Sequence, residues 1–306
     1  MARTQPRKIL LLGMNGQVGW ELQRSLAPLG EIVALDFHGE GELCGDIANL
    51  DGLRQTIEAA KPNILVNAAA YTAVDKAESE PEHAIRLNAE APAVMARTMK
   101  ELNGCLVHYS TDYVFDGSGS QPRKETDEVA PLNVYGASKM AGEQAIQESG
   151  CEYLIFRTSW VYASRGNNFA RTMLRLARER DTLNVIDDQI GAPTGADLIA
   201  DITAHALRCW QARPEVSGLY HLTASGETSW YQYANLVIDW AKKAGLSLAV
   251  QSVNPIHSSD YPVPAERPKN SRLDCSRLTD AFTLELPKWQ QGIERMLQET
   301  LDKETS

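Results

Sequence analysis

The sequence predicts an α/β protein: a doubly wound parallel sheet (Rossmann-type) with a smaller C-terminal lobe. Three observations carry this. Short, uniformly apolar runs alternate with helical segments through the first half of the chain, as in a parallel sheet covered on both faces. A glycine turn stands between the first run and the first helix. The chain has 306 residues, more than one core usually supports, so a second lobe is expected.

The elements follow in order. Ile9-Leu10-Leu11-Leu12 reads as a fully buried strand, and Val18, Leu22 and Leu26 then recur at helical spacing. Ile32-Val33-Ala34-Leu35 is the second strand, and a short third strand is expected to end at Cys44-Gly45-Asp46. A helix over 50–60 is broken by Lys61-Pro62-Asn63. Ile64-Leu65-Val66-Asn67 is the fourth strand and Cys105-Leu106-Val107-His108-Tyr109 the fifth, with a long helical stretch over 82–102 between them. A helix over 135–147 leads to Tyr153-Leu154-Ile155-Phe156, the sixth strand. Beyond Trp160 the pattern loosens. Helices are expected over 168–180, 196–210, 229–244 and 289–301, and the proline-rich stretch 255–268 reads as a loop over a site. Residues 1–160 therefore read as a dinucleotide-binding domain. Residues 161–306 read mainly as a substrate-binding lobe, with some segments returning to the sheet.

Composition narrows the function classes. A net charge of −10 argues against a nucleic-acid surface and against an anionic membrane partner. The five cysteines are scattered with no C-x-x-C spacing, which disfavours a zinc site or a disulfide framework and suits a reducing, cytoplasmic setting. No apolar run reaches membrane-spanning length, and the eight residues before the first strand are too few for a signal peptide.

Gly13-Met14-Asn15-Gly16-Gln17-Val18-Gly19 spaces three glycines as G-x-x-G-x-x-G. Glycines there permit a tight turn and close approach of backbone to a pyrophosphate, which the following helix N-terminus faces with unpaired N–H groups. The turn predicts a nicotinamide dinucleotide, NADH or NADPH, held by Gly13, Gly16, Gln17, Val18 and Gly19. Asp36 ends the second strand, where a carboxylate bonds the adenosine ribose 2′-OH and favours NAD; His38 beside it leaves room for NADP. Asp46 and Ile47 are placed at the adenine. Asn67-Ala68-Ala69-Ala70 ends a strand with small residues that let the cofactor approach, flanked by Tyr71 and Thr72.

The chemistry is expected at Tyr109-Ser110-Thr111-Asp112-Tyr113, where hydroxyls at the carboxyl end of a central strand face the ligand crevice. Tyr135 and Lys139 lie four residues apart, on one face of a helix. An ammonium beside a phenol favours the phenolate, which would make Tyr135 a proton donor near neutral pH.

In that order and spacing, the glycine turn, Ser110-Thr111-Asp112-Tyr113-Val114-Phe115 and Tyr135-x-x-x-Lys139 resemble the extended short-chain dehydrogenases/reductases. More narrowly, five stretches resemble the dTDP-4-dehydrorhamnose reductase family. They start at Gly16-Gln17-Val18-Gly19-Trp20, Asn67-Ala68-Ala69-Ala70-Tyr71, Arg157-Thr158-Ser159-Trp160, Asp188-Gln189-Ile190-Gly191 and Arg267-Pro268-Lys269-Asn270. The resemblance covers essentially the whole chain after residue 8. It implies NAD(P)H-dependent reduction of the C4 keto group of a dTDP-sugar. Tyr135 would be the proton donor, Lys139 the holder of the nicotinamide ribose, and Thr111 the partner of the sugar carbonyl. Trp160 would line the sugar pocket, with Asp112, Tyr113 and Asn168 as further substrate contacts. Arg267 and Arg272 are candidates for the diphosphate, since a guanidinium fork matches phosphate geometry. The resemblance also implies a homodimer around magnesium, at positions matching Glu21, Asp197 and Glu299. Two other readings stay open: a different sugar-nucleotide reductase or epimerase, and a non-catalytic NADP-binding regulatory subunit. The intact trio Thr111, Tyr135 and Lys139 favours catalysis over the latter.

Overall fold

The computed structural model describes residues 7–304. Its first strands are β1 (Lys8–Leu12), β2 (Glu31–Leu35), β3 (Ile64–Asn67), β4 (Cys105–Thr111) and β5 (Glu152–Thr158). A further strand, Gly218–His221, joins them. The six form one sheet in the order Gly218–His221, β5, β4, β3, β1, β2, with every pair parallel. β2 lies to one side of β1 and β3 to the other, so the strand order reverses there. In a sheet of this kind ligands bind outside the carboxyl ends of the strands at that reversal.

Strand side chains alternate between two apolar layers, because successive residues point to opposite faces. Ile9 and Leu11 pack with Leu22 and Leu26 of the helix α1 (Gln17–Leu26) and with Ile199 and Leu207 of the helix Ala196–Ala212. Leu10 and Leu12 pack with Leu53 and Ile57 of α2 (Leu50–Ala60) and with Met95 and Met99 of the helix Ala91–Glu101. A separate core unites Leu174, Tyr233, Ile238, Trp289 and Leu297. They come from the helices Phe169–Glu179, Trp230–Lys243 and Trp289–Glu304. This is the smaller lobe. A second parallel pair, Thr182–Ile186 with Ser252–Ile256, lies in the same half of the chain.

Two expectations need correction. Cys44-Gly45-Asp46 forms no strand: Glu40 and Leu43 make only an isolated bridge, and Gly39 and Gly41 adopt positive φ, so the segment folds as a turn. The sixth strand of the sheet is supplied instead by Gly218–His221, beyond the looser second half. The proline-rich stretch 255–268 is mostly loop, although Pro255 lies within a strand.

The long helical stretch is interrupted. A π-helical turn, Arg86–Glu90, joins Pro81–Ile85 to Ala91–Glu101. Its Asn88 Nδ2 donates to Tyr71 O and to Ser138 Oγ at 3.0 Å each. That ties the turn to the helix Val134–Ser149, which carries Tyr135 and Lys139. Asn133 starts this helix by accepting from the Gly136 N–H at 2.8 Å, and Gly150 ends it with φ +68°. No helix among the described residues is long and apolar enough to cross a membrane.

Candidate active site

A cleft of about 1090 Å³ opens at the carboxyl ends of β1, β3, β4 and β5. Gly13 follows β1 with φ +83° and directs its N–H at Leu35 O, 3.0 Å away. A Cβ there would sit 2.8 Å from the Ala68 carbonyl carbon and the Ala69 nitrogen, so only glycine lets the two loops meet. A Cβ on Gly19 would sit 2.0 Å from Gly13 O. Gly19 therefore packs beneath the turn, while Gly13, Gly16, Gln17 and Val18 line the cleft. No side chain caps the start of α1. Its first N–H groups and its dipole face an anion position, which fits a pyrophosphate.

Asp36 follows β2 beside the outer end of the cleft, whose lining takes in its neighbour Phe37 and not Asp36 itself. Its carboxylate accepts from Asn15 Nδ2 at 2.9 Å and from the His38 N–H at 2.8 Å, which fixes its orientation. Phe37, 68% exposed, lines the cleft here and was missed in the sequence. An aromatic at the mouth offers a face for a base to stack on. Asp46 and Ile47 line the same end, as expected, although one Asp46 oxygen accepts from the Ala48 N–H at 2.9 Å. Ala69, Ala70 and Thr72 line the middle of the cleft. Tyr71 does not: its phenol donates to Glu80 at 2.8 Å on the far side, because Asn88 anchors its backbone.

The three residues expected to carry the chemistry converge at the inner end. Thr111, Tyr135 and Lys139 all line the cleft. The Tyr135 phenol faces the Thr111 hydroxyl, which lowers its pKa, but the larger effect of burial raises it well above the usual value, so it carries its proton at neutral pH. The hydrogen bonds of Lys139 go to β4 and not to the phenol. Lys139 Nζ donates to Tyr109 O at 2.6 Å and lies 3.2 Å from His108 Nε2. Burial pushes its pKa down to about 8, and the phenol is tuned by burial and by Thr111. Four-residue spacing placed both side chains on one face, but Lys139 is drawn to β4. Ser110 Oγ and Thr158 Oγ1 line the same end as buried hydroxyls without a partner. Such atoms fit a ligand that supplies the missing hydrogen bonds.

Trp160, with φ +49°, stacks on Trp230 at 3.6 Å, and both line the cleft. Trp230 comes from the smaller lobe and carried no sequence signal beyond its helix. Tyr113 lines the cleft and packs edge-on against Tyr135. Asp112 and Asn168 do not line it. Asp112 is buried behind Thr111, whose hydroxyl donates to it at 3.1 Å. Asn168 caps the helix Phe169–Glu179 and bonds Gln17, so it joins the lobe to the glycine turn. Arg267 pairs with Asp75 at 2.7 Å and lies close enough to the Tyr113 phenol to lower its pKa, against the larger effect of burial. Arg272 pairs with Glu227 at 2.5 Å and lines a separate hollow.

Glu21, Asp197 and Glu299 approach closely enough for Asp197 and Glu299 to help raise the Glu21 pKa, after the larger effect of burial. Arginines meet them: Arg24 lies 3.7 Å from Glu21, and Arg295 bridges Asp197 and Glu299. Among the described residues no three such side chains converge to hold a metal ion, so the magnesium expectation finds no support.

A phosphate-binding glycine turn, a parallel sheet reversing at β1 and β3, and a Thr-Tyr-Lys cluster in one cleft define a nicotinamide-dependent oxidoreductase of the extended short-chain dehydrogenase/reductase class. The family model described as the RmlD substrate binding domain matches residues 7–301. The chain is 57% identical over 291 residues to the dTDP-4-dehydrorhamnose reductase of Escherichia coli (strain K12), covering 95% of this chain and 97% of that protein. It is 50% identical over 292 residues to the enzyme of the same name from Burkholderia thailandensis, covering 94% and 96%. A crystal structure of dTDP-4-dehydrorhamnose reductase from Bacillus anthracis in complex with NADP superposes with a TM-score of 0.85 at 34% identity, covering 97% of this chain and 100% of that one. The chain belongs to the dTDP-4-dehydrorhamnose reductase family.

Proposed function

We propose that this chain catalyses the NAD(P)H-dependent reduction of dTDP-4-dehydro-β-L-rhamnose at C4, giving dTDP-L-rhamnose. The observation that carries the reading is the meeting of the Thr111 and Tyr135 hydroxyls at the inner end of a cleft floored by the glycine turn. The reduced nicotinamide supplies the hydride when bound. The chain supplies the rest. The Thr111 hydroxyl, whose one proton goes to Asp112 in the free chain, turns it to the carbonyl oxygen at C4 when substrate binds. Tyr135 gives that oxygen its proton, and the phenol regains one from solvent; its raised pKa means the proton is present to give. Lys139, held by Tyr109 O, directs its remaining N–H toward the nicotinamide ribose. Trp160 and Trp230 form an apolar wall for the 6-deoxy sugar face, and Tyr113 closes the pocket beside Tyr135.

The choice between nucleotides follows from Asp36. A carboxylate at the ribose accepts from a 2′-OH and repels a 2′-phosphate. Among the described residues lining the cleft, Lys139 is the only lysine or arginine, and it lies at the opposite end. Asp36 favours NADH; the NADP held by the Bacillus anthracis relative favours acceptance of NADPH as well. We take both to serve. Residues 161–306, apart from the segments that rejoin the sheet, are taken as the substrate-binding part, because Trp230 enters the cleft from there.

The test is loss of 340 nm absorbance with dTDP-4-dehydro-6-deoxyglucose, the 3,5-epimerase and NADH or NADPH. Oxidation that requires both the epimerase and this chain supports the reading. Cofactor binding with no oxidation would overturn it.

A further inference from the structure

A buried chain of two side chains, Asn67 and His108, lies behind Lys139, and its proton count does not close with an ammonium. Asn67 Oδ1 accepts from the Ala69 N–H at 3.2 Å. A backbone N–H can only donate, so the atom it meets must be the amide oxygen. The Asn67 NH₂ then faces His108 Nδ1 at 3.1 Å and donates to it. That puts the single proton of a neutral His108 on Nε2. The imidazole is neutral because burial holds its pKa well below the usual range. Nε2–H points at Lys139 Nζ, 3.2 Å away. An ammonium there would set donor against donor. An amine has the lone pair that completes the chain.

We propose that Asn67 and His108 are positioning residues that fix one histidine tautomer and thereby hold Lys139 close to its uncharged form in the free enzyme. The groups facing Lys139 agree with this. β4 offers His108 and the Tyr109 carbonyl. Its own helix offers Glu143, which favours the ammonium but is bonded to Arg157 of β5 at 2.9 and 2.6 Å. Tyr135 on the same helix is a neutral phenol, and Asp112 beyond it is buried with its pKa raised to about 6. The charge of Lys139 is therefore set by burial together with what His108 presents to it across 3.2 Å. In catalysis this places a proton-dependent step in the range around pH 8, above which the lysine ceases to be a cation beside the ribose.

The first arm of the test is ¹⁵N-histidine NMR of the free protein, with the His108 signals identified by their loss in His108→Gln. The expected result is a neutral ring protonated on Nε2, unchanged from pH 6 to pH 9. A ring protonated on Nδ1, or a titrating ring, overturns the proposal. The second arm is Asn67→Asp. Its carboxylate still accepts from the Ala69 N–H but now also accepts from His108 Nδ1, which moves the imidazole proton and leaves Nε2 to accept from an ammonium. The ring signals should switch to the Nδ1–H pattern. The alkaline fall of kcat/KM should move up by about one pH unit or more. Switched signals with an unmoved pH profile would show that the chain does not govern Lys139. The NMR arm needs no turnover, so its failure is distinguishable from failure of the oxidoreductase reading on which the pH arm rests.

Discussion

Asp112→Asn should make the protein more stable at pH 8 and lose about half of that gain at pH 5. The carboxylate is 2% exposed, directly after β4, with one oxygen bonded to Thr111 and the other lacking a hydrogen-bond partner. Burial raises its pKa from 3.8 to about 6, against the smaller opposing effects of the Ser271 and Thr111 hydroxyls. Between about pH 4 and pH 6 the folded protein keeps a proton that the unfolded chain has lost. Stability therefore falls as pH rises through that window, and the cost is complete above it. Holding a carboxyl at about 6 instead of 3.8 costs roughly 3 kcal/mol at pH 8 and roughly half as much at pH 5. An asparagine keeps an oxygen for Thr111, carries no charge and can donate its NH₂ to Ser271. After relaxation the gain should be about 1–3 kcal/mol at pH 8. Urea unfolding at pH 8, 6.5 and 5 measures it, since the linear extrapolation gives the free energy at each pH. A loss of stability at pH 8, or a gain that does not shrink toward pH 5, would refute the account of a carboxylate held against its solvation.

Three further predictions address the cleft and its supports. Tyr135→Phe keeps the ring and removes the proton donor, so kcat should fall by about 10²-fold or more while the Kd for NADPH stays within about twofold; stopped-flow turnover and fluorescence titration separate the two. Asp36→Ala removes the ribose partner, so NADH should weaken about tenfold while NADPH is unchanged or improved; an equal effect on both would remove Asp36 from the ribose. Arg157→Met strands the buried Glu143 carboxylate and should cost about 3–5 kcal/mol in urea, with Arg157→Met/Glu143→Leu recovering most of it.

Much of the site was legible because its motifs are local. The glycine turn works through backbone conformation within seven residues, and a Cβ at Gly13 or Gly19 has no room in the fold, as the spacing implied. Thr111 and Tyr135 were placed by a strand end and a helix start, and both line the inner end of the cleft. The parts that were not legible are those where distant segments compete for a side chain. Tyr71 stood beside cofactor-lining alanines in the sequence, but Glu80 and Asn88 turn it away. Trp230, about 70 residues from Trp160, reaches the cleft only because the smaller lobe packs there.

The sequence by itself determined the parallel sheet, the tight glycine turn and the hydroxyls brought to the cleft, because apolar periodicity and glycine conformation are properties of short stretches of chain. Only the tertiary structure decided the sixth strand, the pairing of Arg267 and Arg272, and above all the state of Lys139. Spacing put that lysine on the same helix face as Tyr135. The carbonyl of Tyr109 and the imidazole of His108, on a strand 30 residues earlier, decide where its nitrogen points, and burial decides how readily it holds a proton. Hydrogen bonding and desolvation act through space, and a linear pattern does not record which neighbour a buried charge will find.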